Sequence, residues 1–380
     1  MLKKKIILML LLLISLFNIF SHKTQVNAES ISELSETKVY SIYDEDFNLL
    51  FQKDYVLVGD GYMSEDYKYY EVVYLDEENS KGIAKFIRHV KRPDIDISSN
   101  PVPIKIEDRV ICMYMTHNDE SYLPSDGYDS IYGNGGIKDV AEALQLELQK
   151  YFIDVYLDDT LHIPHDTSAY TRSKTTAQSL INKYDPDAIF DIHRDATSRK
   201  FYIANVNGVE RGRVRMVIGK ANPNMAINEE FALYLMSVAN ELYPWLFTDI
   251  YYASGHYNQG LDSKAILFEM GCHLIEKELE IQTTKELAKV ITTALYQTTV
   301  DTDSGDLTIN GTETSENLTV NKYLDEKEGK NINTIGLVVS LTALAGACVY
   351  AIYIFVTNMK KVSVKSASTK NKSDKKWNIN

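Results

Sequence analysis

Three short segments of this chain hold residues that could bind a metal ion and move a proton. Asp191-Ile192-His193-Arg194-Asp195 follows the apolar run Ala188-Ile189-Phe190. Thr116-His117-Asn118-Asp119-Glu120-Ser121 follows the run from Val110 to Met115. Phe268-Glu269-Met270-Gly271 closes Ala265-Ile266-Leu267. Two imidazoles and one carboxylate, with a fourth position left open, are a common donor set of zinc hydrolases. Such an ion acidifies water to a pKa of about 7 and polarises a scissile carbonyl. A further carboxylate must then take the water's proton and return it to the leaving amine. His117, Glu120 and His193 are the candidate metal ligands. Glu269 is the candidate acid–base, because a carboxylate in an otherwise apolar strand needs a reason to be there.

Each residue also has a plainer reading. Asp191 to Asp195, and Glu120, could simply cap strand ends with charge. Glu269 could be the buried partner of Arg194 or Arg172. His162, His165 and His273 are further metal candidates. His162 and His165 share a polar loop with Asp158, Asp159 and Asp166 and read as solvated or substrate-facing. Arg194 and Asp195 are expected to contact substrate. So are Asn258 and Gln259, which follow His256 and Tyr257 in the loop before the last strand.

These segments need a sheet to bring them together. Val110 to Met115 reads as a strand. Ile137, Val140, Ala141, Leu144, Leu148 and Tyr151 then recur at helical spacing. Val155 to Leu157 is a short strand, Ser168 to Tyr184 a helix with a weaker apolar face, and Ala188 to Phe190 a buried strand. Asn207-Gly208 marks a hairpin turn with Arg213 to Ile218 as its return strand. Met225 to Tyr243 is a helix ended by Pro244. Ala265 to Glu269 is a strand, and a helix runs from about Ile275 to Tyr296. Alternation of this kind predicts an α/β fold over residues 107–300, with a mostly parallel twisted sheet sandwiched by helices. Its strands should deliver the three segments at one carboxyl-terminal edge, where ligands bind in open α/β sheets. Residues 29–106 read as a small β-containing region, rich in Tyr and packed on or beside the main body, followed by a proline-bearing linker.

The ends of the chain have a different character. Lys3, Lys4 and Lys5 precede an apolar run from Ile6 to Phe20, so residues 1–28 are expected to be a signal peptide or an N-terminal anchor. Residues 301–333 form an acidic stalk. The 23 uncharged residues 334–356 would span about 34 Å as a transmembrane helix. Residues 357–380 are a basic tail, cytoplasmic by the positive-inside rule, which leaves the catalytic body outside the cytoplasm. The formal charge of the chain is −13. With +4 in residues 1–28 and +6 in residues 334–380, residues 29–333 carry −23. That acidity argues against nucleic acid and against anionic lipid headgroups as partners. Three cysteines, Cys112, Cys272 and Cys348, are too few for a disulfide framework, so the core must supply stability.

The ordered set of segments resembles the stage II sporulation protein P family. The resemblance is carried by Thr116-His117 through Pro124, Lys138-Asp139-Val140, Asp191 to Ala196, Asn207-Gly208 and Val217-Ile218-Gly219-Lys220. Residues 224–232, Tyr257-Asn258-Gln259 and Phe268 to Gly271 continue it, over roughly residues 108–297. It implies a zinc amidase-like fold and an N-acetylmuramoyl-L-alanine amidase with added endopeptidase action on peptidoglycan. It also implies membrane anchoring in the mother cell, septal thinning and forespore engulfment, with stage II sporulation proteins D and M as partners. After Glu269-Met270-Gly271 similar sequences carry a second Gly and then Asn, where this chain has Cys272-His273-Leu274-Ile275. The rival reading is a catalytically inactive, membrane-anchored scaffold that binds peptidoglycan. A receptor ectodomain is disfavoured because the short lysine-rich tail holds no folded unit.

Overall fold

The computed structural model describes residues 38–95 and 109–296. The expected signal or anchor, most of the linker, the stalk, the transmembrane helix and the basic tail lie outside the described residues. Among the described residues no helix is long and apolar enough to cross a membrane.

Strands β1 (Tyr40–Tyr43), β2 (Leu49–Lys53), β3 (Gly61–Ser64), β4 (Lys68–Asp76) and β5 (Lys81–His89) precede the main body. There β6 (Val110–Tyr114), β7 (Asp154–Asp158), β8 (Ala188–Asp195), β11 (Val214–Gly219), β12 (Phe247–Ala253) and β13 (Ala265–Cys272) alternate with helices. Those helices are the short α1 (Leu123–Asp126), then α2 (Ile137–Gln149), α3 (Ala169–Tyr184), α4 (Met225–Leu242) and α5 (Lys277–Tyr296). One eleven-stranded sheet runs in the order β2-β1-β5-β4-β3-β12-β11-β13-β8-β6-β7. Among the strands of residues 107–300 four of the five pairings are parallel, as expected, and the sheet as a whole is mixed because the amino-terminal strands join it. Within β6, β7, β8 and β13 every pairing is parallel, but β11 runs antiparallel to β13, and β3 antiparallel to β12.

Two expectations about strands change. The hairpin at Asn207-Gly208 closes on β9 (Ile203–Val206) and β10 (Val209–Gly212), which form a separate two-stranded sheet. Val214 to Gly219 is instead a central strand of the large sheet. Both turn residues have positive φ, as a two-residue turn of this hand requires, and the hairpin ends at Gly212. Strand β12 was not foreseen at all. It follows Pro244 directly, and its Phe-Thr-Asp-Ile-Tyr-Tyr-Ala run mixes polar with apolar residues. β12 joins the five amino-terminal strands to the rest of the sheet, edge to edge through β3.

The two faces of the sheet are unlike. Ala188, Phe190 and Ile192 of β8, Val214, Met216 and Ile218 of β11, and Ile266, Phe268 and Met270 of β13 share one large apolar core with α2, α4 and α5. The alternate residues of the same strands point the other way, since successive strand side chains take opposite faces. Those residues include Asp191, His193 and Asp195, Arg215, and Glu269, beside the apolar Ile189, Val217 and Leu267. Every residue of β8, β11, β12 and β13 is buried, so this polar face is also covered. Helix α3 covers part of it. Its weak apolar face, noted in the sequence, fits that position: Ser173 bonds Thr116, and Thr176 bonds His162. Strand β2 covers another part. Register shifts between β4 and β5 accompany a curl of the sheet. Phe51 of β2 thereby packs on Tyr62 and Tyr251, with ring centroids 5.0 and 5.4 Å away. Cys112 and Cys272 are both buried and free.

Candidate active site

The site lies on this polar face, near the carboxyl ends of β8 and β13 and beside the loop that follows β6. β8 continues through His193 to Asp195, so the imidazole is part of the strand. Cross-strand pairing sets Arg215 against Glu269 and Glu269 against His193. The register shift after Glu269, with Gly271 at φ 73°, re-aims the chain just past the carboxylate. A Cβ on Gly271 would strike Ile275 and Glu280.

The loop after β6 brings His117 and Glu120 to the same place. It is pinned from three sides. The Tyr122 hydroxyl donates to the Met270 carbonyl at 2.7 Å, and Arg194 donates through Nε to the Ser121 carbonyl at 3.0 Å and through Nη2 to the Asp129 carbonyl at 2.7 Å. Gly135 lies where a Cβ would collide with the Glu120 backbone. One oxygen of Glu120, Oε2, accepts the Arg194 backbone N–H at 2.9 Å. The other, Oε1, lies 3.2 Å from His117 Nδ1 and 3.4 Å from His193 Nδ1. Asp191 Oδ1 stands 3.0 Å from His193 Nε2, close enough for charge attraction but not aligned as a hydrogen bond. Asp191 itself is fixed by the Thr116 backbone N–H and hydroxyl. In metal sites a carboxylate beside a ligating imidazole commonly orients its ring.

Charge follows geometry. Burial alone would raise the Glu120 pKa, but His193 and His117 hold it well below the ordinary carboxylate range. Burial would lower that of His193, yet Asp191 and Glu120 keep it well above the usual imidazole value. His117 is lowered, chiefly by burial. Glu269 is raised to about 7 by burial, against the pull of Lys53. Buried carboxyls commonly shift this way.

The residues that can hold an ion include one set aside in the sequence. His117, Glu120 and His165 offer ligand atoms within 4.8 Å of one another. The His165 ring stacks on that of His117, centroids 3.8 Å apart, and its Nδ1 faces Asp119 Oδ1 at 3.1 Å. His193 approaches the same Glu120 oxygen from the buried side. The donor set, imidazole nitrogens around one carboxylate oxygen, fits zinc. The buried Nε2 of His117 has no hydrogen-bond partner among the described residues.

Other expected residues fall differently. His162 is neither solvated nor substrate-facing. It is 2 % exposed and braces the Met115 carbonyl and the Thr176 hydroxyl. Gln259, expected to contact substrate, is buried, accepting from the Gly219 N–H and donating to the Val217 carbonyl. Asn258 is committed to the Tyr170 carbonyl and Ser173. Asp195 lines the cavity but is almost fully buried, and Arg215, Tyr202 and Lys53 engage its oxygens. Burial raises its pKa, but Lys53 and Arg215 more than offset that, so its carboxyl stays below the ordinary value. Arg194 keeps one flank on the cavity while its guanidinium holds the 121–129 loop. Glu269 pairs with Lys53, at 3.5 Å, rather than with Arg194 or Arg172.

A cavity of about 600 Å³ opens above these groups. Lys53, His117, Glu120, His165, His193 and Glu269 all line it, with Tyr170 and Tyr251 among its aromatic walls. Lys53 and Tyr170 were not anticipated. Tyr170, in the first turn of α3, lies 5.4 Å from the His117 ring and 6.2 Å from that of His193.

Comparison with known proteins bears on this arrangement. The family model described as stage II sporulation protein P matches residues 35–292. A curated relative, stage II sporulation protein P of Bacillus subtilis (strain 168), is 26% identical over 215 residues, which cover 52% of this chain and 54% of the relative. The chain thus spans about half the length of the curated relative it matches. Among solved structures, an N-acetylmuramoyl-L-alanine amidase from Clostridium difficile 630 is similar at 16% identity and a TM-score of 0.32, covering 49% of this chain and 94% of that one. An N-acetylmuramoyl-L-alanine amidase of Nostoc punctiforme is similar at 10% identity and a TM-score of 0.32, covering 50% and 97%. At such scores the structural likeness carries no argument about chemistry.

Proposed function

The chain belongs to the stage II sporulation protein P family, and on that premise we propose that it is a zinc-dependent peptidoglycan hydrolase acting during sporulation. The bond we assign is the amide between N-acetylmuramic acid and L-alanine, with endopeptidase action on stem-peptide crosslinks as a second activity. The observation that carries this reading is the convergence of His117, Glu120, His193 and Glu269 on one cavity. The reading extends to a membrane-anchored body on the extracytoplasmic side, working with stage II sporulation proteins D and M.

In this proposal His117, Glu120 and His193 hold the metal, and Asp191 orients His193. Zinc held there would polarise the scissile carbonyl and acidify water. Glu269 takes the proton from the attacking water and returns it to the leaving amine. Arg194 holds the loop that carries two of the ligands, and its backbone N–H fixes one oxygen of Glu120. His165 flanks the site from the solvent side, where its side chain is 41% exposed.

Metal analysis of purified full-length variants tests the assignment. His193→Ala should lose stoichiometric zinc together with activity, while His165→Ala should keep the metal. If His193→Ala retains zinc and His165→Ala loses it, the two histidines exchange roles.

A further inference from the structure

Part of the cavity wall comes from Lys53, Asp54, Tyr55, Leu57 and Asp60, which lie far from the rest of the site in sequence. Among them is Lys53, the last residue of β2, with its side chain 14% exposed. Its ammonium lies 2.7 Å from Asp195 Oδ1 and 3.5 Å from Glu269 Oε1. A lysine costs free energy to bury unless it is paired, and this one sits between two buried carboxylates.

Independent tethers fix its place. Phe51 is stacked on Tyr62 and packs edge-on against Tyr251. The Gln52 carbonyl accepts the Thr197 hydroxyl at 2.8 Å, and the Gln52 side chain accepts the Ser198 hydroxyl. The Tyr251 ring lies 5.7 Å from the ammonium, within the range of a cation–π contact. Asp195 serves as an anchor. Its Oδ2 is taken by Arg215 at 2.5 Å and by the Tyr202 hydroxyl at 2.9 Å, which leaves Oδ1 for Lys53. The two oxygens of Glu269 differ as a result. Oε1 faces the lysine, and the buried Oε2 takes no hydrogen bond from the described residues.

We propose that Lys53 is a positioning residue for the reaction, fixing the orientation of the Glu269 carboxylate at the cavity where the attacking water must be met, and that strand β2 thereby completes the active site. The inference rests on the reading of Glu269 as the proton-transfer group. Placement of a reacting group within a fraction of an ångström governs rate strongly. The plainer possibility is that Lys53 only offsets buried charge and steadies the fold.

Kinetics on peptidoglycan with the full-length chain separate the two. Lys53→Ala should lower kcat by about 10- to 100-fold with little change in KM and with zinc retained. Propylammonium added to the solution should restore part of the lost rate in Lys53→Ala and none in Glu269→Gln. Lys53→Arg should retain more activity than Lys53→Ala. In the Glu269→Gln background, Lys53→Ala should cost nothing further, because its effect runs through Glu269. Normal kcat in Lys53→Ala beside an inactive Glu269→Gln would overturn the proposal alone. So would a loss that amine does not relieve and that multiplies with Glu269→Gln. Normal turnover in Glu269→Gln itself would remove the proton-transfer reading, and this proposal with it.

Discussion

Glu269→Gln should leave the protein folded and zinc-loaded and still remove about two to four decades of turnover, the range usual for a general acid–base group. The change keeps the side chain's shape and removes its basic site. Glu269 stands beside His193 in the cross-strand row, lines the cavity and is not one of the residues gathered around Glu120. Burial raises its carboxyl to about 7, which suits a group that must both accept and return a proton near neutrality. The sign of the pH effect follows. The basic form accumulates as pH rises through about 7, so the wild-type rate should climb over that range, and this limb should vanish in Glu269→Gln. Loss of zinc in the variant would make Glu269 a ligand. Near-normal turnover would pass the proton transfer to another carboxylate, such as Glu120.

Arg215→Met should destabilise the fold by about 3–5 kcal/mol, as expected when one partner of a buried charge network is removed. Arg215 is completely buried. It donates to both oxygens of Asp249, at 2.6 and 2.9 Å, and to Asp195 at 2.5 Å. Removing it leaves two buried carboxylates short of their cation. Denaturant unfolding of wild type and variant measures the difference. Asp195 is held below its ordinary value of 3.8, so its ionic contribution is present above that value and is lost as pH falls. The deficit of Arg215→Met should therefore shrink toward acid. A loss below about 1 kcal/mol at neutral pH would mean that the network relaxes or admits water, contrary to the packing seen here.

How much of this could be read in the sequence depends on distance along the chain. The helices were legible because apolar residues recur at helical spacing, and β6, β8 and β13 because their runs are short and apolar. The convergence of His117, His193 and Glu269 was expected because each follows a buried apolar run. The position of His193 inside β8 was also present in the sequence, as alternation: Ala188, Phe190 and Ile192 face one way, and Ile189, Asp191, His193 and Asp195 the other. The polar half of that pattern was read as residues following the strand at its carboxyl end, since strands with three ionisable residues on one covered face are uncommon. Arg215 and Asp249 went unseen because their signal is a pair, and the two lie 34 residues apart. Lys53 lies 142 residues from Asp195 and 216 from Glu269, in a stretch with no feature that marks it. Gln259 misled for the opposite reason: an amide in a loop beside the cleft looks free, and only the fold shows both of its ends engaged.

The most direct test is mass spectrometry of purified sporangial sacculi digested by the full-length chain, with and without a chelator. The account predicts released stem peptides that begin with a free L-alanine amino group, lost on chelation and restored by zinc. Protein that binds the sacculi and releases no such peptides, with zinc present, would contradict it and leave the peptidoglycan-binding scaffold.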